Sequence, residues 1–166
     1  MFRISLLLLA SLAAASAQTK VGIINVQNAI LDTAEIKKAQ LELEGRYKPR
    51  QQKVESLQKE LADLQNKLQT MAGKLTPQAE QEMQVSGQRK QRELQRLTED
   101  LQADVDRERN EILSKSGTRM QEVVKKLAEE KGLDVIMDVA STLYFKPTME
   151  LTKDAVVAYD KAYPAK

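Results

Sequence analysis

Between Val54 and Met71 the apolar residues fall at Val54, Leu57, Leu61, Leu64, Leu68 and Met71, a 3-4-3-4-3 spacing. The residues between them are almost all Gln, Lys, Glu, Asp, Asn or Ser. A heptad seam with a polar exterior predicts a coiled-coil helix rather than a helix buried on a globular core. Ala72-Gly73 and Thr76-Pro77 interrupt the pattern and predict a turn. A second helical run follows, with Leu94, Leu97, Leu101, Val105, Ile112, Met120, Val124 and Leu127 on one side. Its Leu97-Leu101-Val105 step of four and four departs locally from the heptad. Two long helices joined by a short loop pack antiparallel. From about residue 34 to Met71 the outgoing helix spans roughly 55 Å at 1.5 Å per residue, so the hairpin is an arm.

Elsewhere the period changes. Lys20-Val21-Gly22-Ile23-Ile24-Asn25-Val26 is β-branched and nearly continuously apolar, which predicts a strand covered on both faces. Asn28 or Asp32 opens the next helix, in which Ala29, Ile30 and Ile36 begin a 3.6-residue period. Gly132 is placed to end the second long helix. Leu133 to Val139 then alternates, with Leu133, Val135, Met137 and Val139 on one face and Asp134 and Asp138 on the polar one. Leu143-Tyr144-Phe145 predicts a further short strand, stopped by Pro147, and Thr152 caps a final helix carrying Val156, Val157 and Tyr159. The fold class is therefore mainly α with a small β body. Residues 18–33 and 132–166 form the body, and residues 34–131 the hairpin arm. A body of that size is marginal alone and leaves sheet edges to be covered, which predicts an oligomer. Gly45 and Pro49 stand out inside the outgoing helix, because Pro49 clashes with the carbonyl of the residue four back, which is glycine. The pair predicts either a kink or break acting as a hinge, or a helix start at Pro49 after a loop.

Residues 1–17 are excluded from the fold. Met1-Phe2-Arg3 is a positive start, Ile4 to Leu12 a short apolar run, and Ala15-Ser16-Ala17 a cleavage signature. An exported protein cleaved after Ala17 follows, and losing Arg3 lowers the net charge from +2 to +1. A charge that small gives no field to draw nucleic acid. The region from Gln65 to Arg92 carries Lys67, Lys74, Arg89, Lys90 and Arg92 against Glu80 and Glu82, a modestly basic tip suited to acidic clients, to weak contact with anionic lipid headgroups, or simply to solubility at an exposed end.

The chain has no Cys and no His, so thiol, disulfide and imidazole chemistry are excluded. Asp100, Asp104, Glu108 and Glu111 share one helical stripe, but Arg96, Arg107, Arg109 and Lys115 are interleaved. With nothing apolar to raise a carboxyl pKa, the stripe is a solvated charged face rather than an acid–base pair or cation site. No phosphate loop, nucleophile elbow or metal cluster is present, and no cofactor or enzymatic activity is expected.

The order of export signal, first strand, helical hairpin, strands and closing helix resembles the OmpH/Skp family of periplasmic chaperones. The resemblance rests on Lys20 to Val26, on Gly132-Leu133-Asp134-Val135-Ile136-Met137-Asp138, and on Leu143-Tyr144-Phe145 followed by Leu151 to Val157. It implies a homotrimer joined through its strands, with Val21, Ile23, Val135, Met137 and Leu143 as oligomerisation residues. It also implies arms that hold unfolded outer-membrane β-barrel proteins in the periplasm without ATP. Client contacts are then expected at Met71, Leu75, Met83 and Val85 and at the basic Lys74, Arg89 and Lys90. The chain is less basic than the family's best-known members, which weakens the case for lipopolysaccharide binding and for charge-driven client capture. A structural or adaptor coiled coil of the cell envelope is the competing reading.

Overall fold

A computed structural model describes residues 19–165. The leader and its cleavage point after Ala17 lie outside the described residues. The elements in order are β1 (Val21–Ile24), α1 (Val26–Asp32), α2 (Ala34–Thr70), α3 (Pro77–Lys131), β2 (Val135–Asp138) and α4 (Thr152–Ala162). Short 3-10 turns cover Val139–Ser141 and Pro147–Met149.

The hairpin is present as the heptad pattern requires. α2 contains 37 residues and α3 contains 55, and Leu57 and Leu61 of the predicted seam are buried. Thr76 caps α3 by accepting from the Ala79 N–H at 3.2 Å, with Pro77 in the first turn. Gly132 ends α3 in the left-handed region at φ 60°. The Cβ atom that every other residue carries makes that conformation costly. The outgoing helix runs unbroken through Pro49, so the break considered at Gly45/Pro49 does not occur. The chain breaks earlier, at Thr33, a buried residue with extended backbone (φ −63°, ψ 149°) between α1 and α2. Its hydroxyl donates to the Ile30 carbonyl at 2.8 Å and accepts from the Ile36 N–H at 3.3 Å, closing one helix and opening the next.

The body is a βαβ unit whose crossover is the whole arm. β1 and β2 are parallel, in the register Val21↔Val135 to Ile24↔Asp138, and a single parallel bridge joins Ile23 to Glu150 on β1's other side. The core gathers Ile24 and Ala29 with Met120, Val123 and Leu127 of α3 and Ala155 and Tyr159 of α4. The last turns of α3 thus root the arm in the body.

Several local expectations are corrected. Asn25 caps α1, accepting from the Asn28 N–H at 2.9 Å, because the helix begins directly after the strand; neither Asn28 nor Asp32 does so. Thr152 is the first residue of α4 rather than its cap, and its hydroxyl accepts from the Asn25 N–H at 2.9 Å instead. Leu143-Tyr144-Phe145 forms no strand: within one chain no neighbouring strand offers it hydrogen bonds, and Leu143 and Tyr144 stand free. The faces of β2 are inverted relative to their polarity. Ile136 packs on the core, while Val135 and Met137 are exposed at 43% and 40%. Asp134 and Asp138 are not simply a polar sheet surface. Asp134 accepts from the Lys20 N–H at 2.7 Å, and Asp138 from the N–H groups of Val26 and Ala140 at 3.1 and 2.7 Å.

Candidate functional site

Three surfaces offer themselves: the arm's tip, its base, and the open face of the body. At the tip Met71 and Val85 are exposed at 41% and 39%, and Leu75 and Met83 are half-buried. Lys74 and Arg89 point into solvent. Lys90 does not belong with them, because its ammonium is paired with Glu60 across the hairpin. Val85 and Arg89 border a shallow depression with Gln78, Gln81, Glu82 and Ser86.

The acidic stripe of α3 is likewise only partly solvated. Asp104 takes Arg50 of α2 at 2.7 Å, and Glu108 takes Arg46 at 2.6 Å and the Tyr47 hydroxyl at 2.7 Å. Two carboxylates expected to face water instead clip the helices together, since the basic residues that neutralise them sit on the opposite helix. Asp104 is held below the usual carboxylate range by hydrogen bonds from Arg50 and Arg107. The Tyr47 phenol is pushed up by the hydrogen bond it donates to Glu108. The segment around Gly45 and Pro49 is therefore flanked by cross-links at Arg46, Tyr47 and Arg50.

Near the base a groove runs along the hairpin. Leu31, Ile36, Leu43, Val105, Ile112 and Leu113 line an apolar groove of about 380 Å³, with Arg109 at its rim. The signal for it lay in the irregular spacing of α3, which drifts off the seam between Leu101 and Ile112. Below the groove is a polar joint. Glu35 accepts from the Tyr159 hydroxyl at 2.5 Å and from Arg119 Nη1 at 2.7 Å, and the Arg119 guanidinium lies 4.6 Å from the Tyr163 ring centroid. Burial pushes the Glu35 carboxyl up, but the hydrogen bonds from Tyr159 and Arg119 and the Arg119 charge outweigh it and hold the carboxyl below its ordinary value. Burial and the bond to Glu35 push the Tyr159 phenol up. Residues from three distant stretches form this joint, and no local pattern announces it.

On the body, Val135, Met137, Leu143, Tyr144 and Val157 are exposed, Leu143 completely. Val21 is half-buried. Ile23 differs from the other expected oligomerisation residues: it is 2% exposed within its own chain, filled in by the body's packing, and offers no free surface. Among the described residues no group of three or more carboxylate, Cys or His side chains is arranged to hold a metal ion. No described helix is long and apolar enough to cross a membrane.

The chain matches the family model described as outer membrane protein (OmpH-like) over residues 20–159. It is 28% identical to the Chaperone protein Skp of Pectobacterium atrosepticum over 154 residues, covering 90% of this chain and 91% of the relative. It is 22% identical to a Skp-like protein of Pseudomonas aeruginosa over 142 residues, covering 86% and 84%. In fold it is similar to a putative outer membrane chaperone (OmpH-like) from Caulobacter crescentus, with a TM-score of 0.71 at 17% identity, covering 90% of this chain and 89% of that one. A family model spanning the first strand, the entire arm and most of α4 leaves one conclusion: the chain belongs to the OmpH-like family, a family of chaperones and not a class of enzymes.

Proposed function

We propose that this protein is a periplasmic holdase that keeps unfolded outer-membrane β-barrel proteins from aggregating, without nucleotide. The observation that carries this reading is the arm: a polar hairpin of about 55 Å with apolar side chains left open at its tip and base. An unfolded barrel strand alternates apolar and polar residues and aggregates through its edges and apolar faces. Scattered weak contacts along several arms hold such a chain by effective concentration, without one deep pocket that would slow release. Met71, Leu75, Met83, Val85, Lys74 and Arg89 are the proposed client contacts, together with the base groove.

The proposed assembly is a homotrimer. Val135, Met137, Leu143 and Tyr144 form apolar surface that a single chain leaves in water, and the unpaired Leu143–Phe145 segment would gain its strand partner from a second copy. Weak contact of the basic tip with anionic lipid belongs to the same proposal.

The test is light scattering of a urea-diluted outer-membrane barrel, with and without the protein at trimer stoichiometry and no ATP. Suppression across salt concentrations is expected, and it should weaken when Gln65 to Arg92 is deleted and the helices rejoined. Full-length protein that leaves scattering unchanged would overturn the holdase reading and favour an envelope tether.

A further inference from the structure

On the holdase reading, we propose that Glu35, Arg119, Tyr159 and Asp160 are positioning residues that attach the arm to the body at a second point. The joint thereby sets the arm's direction and the space it encloses. The first attachment is α3, continuous from the arm into the core at Met120, Val123 and Leu127. α2 has no such continuity, because the backbone turns at Thr33 immediately before it. What holds its root instead is α4. The Ala34 N–H donates to Asp160 Oδ1 at 2.9 Å, and Glu35 takes the Tyr159 hydroxyl at 2.5 Å and Arg119 at 2.7 Å.

Three features make this joint a fixed point. The Tyr159 ring is fully buried, so its hydroxyl cannot wander. Arg119 is stacked on Tyr163 of the same final segment. The side chains of Arg119 and Glu35 are only 29% and 25% exposed, which limits screening by solvent. Above the joint lies the apolar groove, and the next cross-links are Arg46–Glu108 and Arg50–Asp104. A hairpin held at its root by α4 as well resists bending more than one held only through α3 and the Thr33 turn into α1. The lever is long: over about 55 Å, a rotation of about 10° at the root moves the tip by about 10 Å.

The chain has no cysteine, so nitroxides can be placed at Lys74→Cys on the tip and Lys153→Cys on the body. Labelled chains are diluted with unlabelled ones so that distances within one chain dominate. Glu35→Ala should broaden the tip-to-body distribution by several ångströms, toward the ~10 Å lever displacement. Tyr159→Phe combined with Asp160→Ala, which keeps the buried ring, should do the same. The reversal Glu35→Arg with Arg119→Glu should narrow it again, a rescue that simple loss of packing cannot give. In the aggregation assay the uncoupled variants should shift protection toward larger clients. Helicity by circular dichroism confirms which variants fold. An unchanged distribution in the folded Tyr159→Phe/Asp160→Ala protein overturns the proposal. Because the distances are read without client, that failure is distinguishable from failure of the holdase activity.

Discussion

Glu35 is the residue whose surroundings say most about this protein's response to pH. Its carboxyl is held below the ordinary value near 4.3 by Tyr159 and Arg119 despite its burial. A depressed pKa in the folded state means that the linked stability is whole above the unfolded value and lost as pH falls through the folded one. Tyr159 is shifted upward, so its contribution is whole below about pH 10 and lost as pH rises through its raised value. Urea midpoints measured from pH 7 to pH 3 should fall more steeply for the natural chain than for Glu35→Gln, and parallel curves would remove Glu35 from the account. Gly22 is a second position with one clear physical reason. A Cβ there would lie 2.7 Å from Leu151 Cδ1 and 3.0 Å from Leu133 Cδ1. Gly22→Val therefore overfills the body and should cost about 1–3 kcal/mol in urea unfolding.

At the scale of elements, α2 has a soft spot that is not a break. A Cβ at Gly45 meets nothing within 4 Å, and the residue is helical. Gly45→Ala should raise stability by about 1 kcal/mol through helix propensity alone. Gly45→Ala with Pro49→Ala tests the hinge expected at this pair: a narrower distribution of arm-tip distances supports it, and an unchanged distribution makes the pair structurally inert. The seam itself is tested by Leu57→Ala, which removes a 2%-exposed side chain and should cost about 2–5 kcal/mol. The cross-links at Arg46, Arg50 and Lys90 explain how a helix pair with a thin apolar seam stays in register. Charges of opposite sign face each other across the pair, and few residues are needed in between.

For the whole molecule, the division between inside and outside falls differently from the division between apolar and polar. Ile23 is inside one chain, so Ile23→Asp probes folding and not assembly. Met137→Asp and Leu143→Asp probe assembly, because both residues are exposed in the single chain. On the trimer proposal each should lower the mass seen by multi-angle light scattering while helicity is kept. A natural chain that is monomeric at micromolar concentration would remove the proposal itself. On the periplasmic proposal, exported material should begin at Gln18, and N-terminal sequencing that returns Met1 would overturn cleavage after Ala17.

The heptad seam, the Ala72-Gly73 and Thr76-Pro77 turn and the Gly132 stop were legible because each is a local rule, read within a few residues. Apolar period fixes helix faces, and glycine or proline fixes where a helix can end. The parallel pairing of β1 with β2 was not legible, since the register joins residues more than a hundred positions apart. Nor was the use of Asp104 and Glu108 as clips, or the meeting of Glu35, Arg119 and Tyr159. In each case a charged side chain looks the same in sequence whether it faces water or a partner, and only the packing of distant elements supplies the partner. The alternation of β2 was legible, but not which of its faces the chain itself covers. Polarity alone places Val135 and Met137 inward, but in one chain α4 and the end of α3 cover the Ile136 face. The sequence by itself thus determined which segments are arm and which ends are capped, through contacts within a turn or two of helix. The tertiary structure decided which apolar face stays open and which polar groups lock the arm's root, because both depend on what the rest of the chain brings alongside.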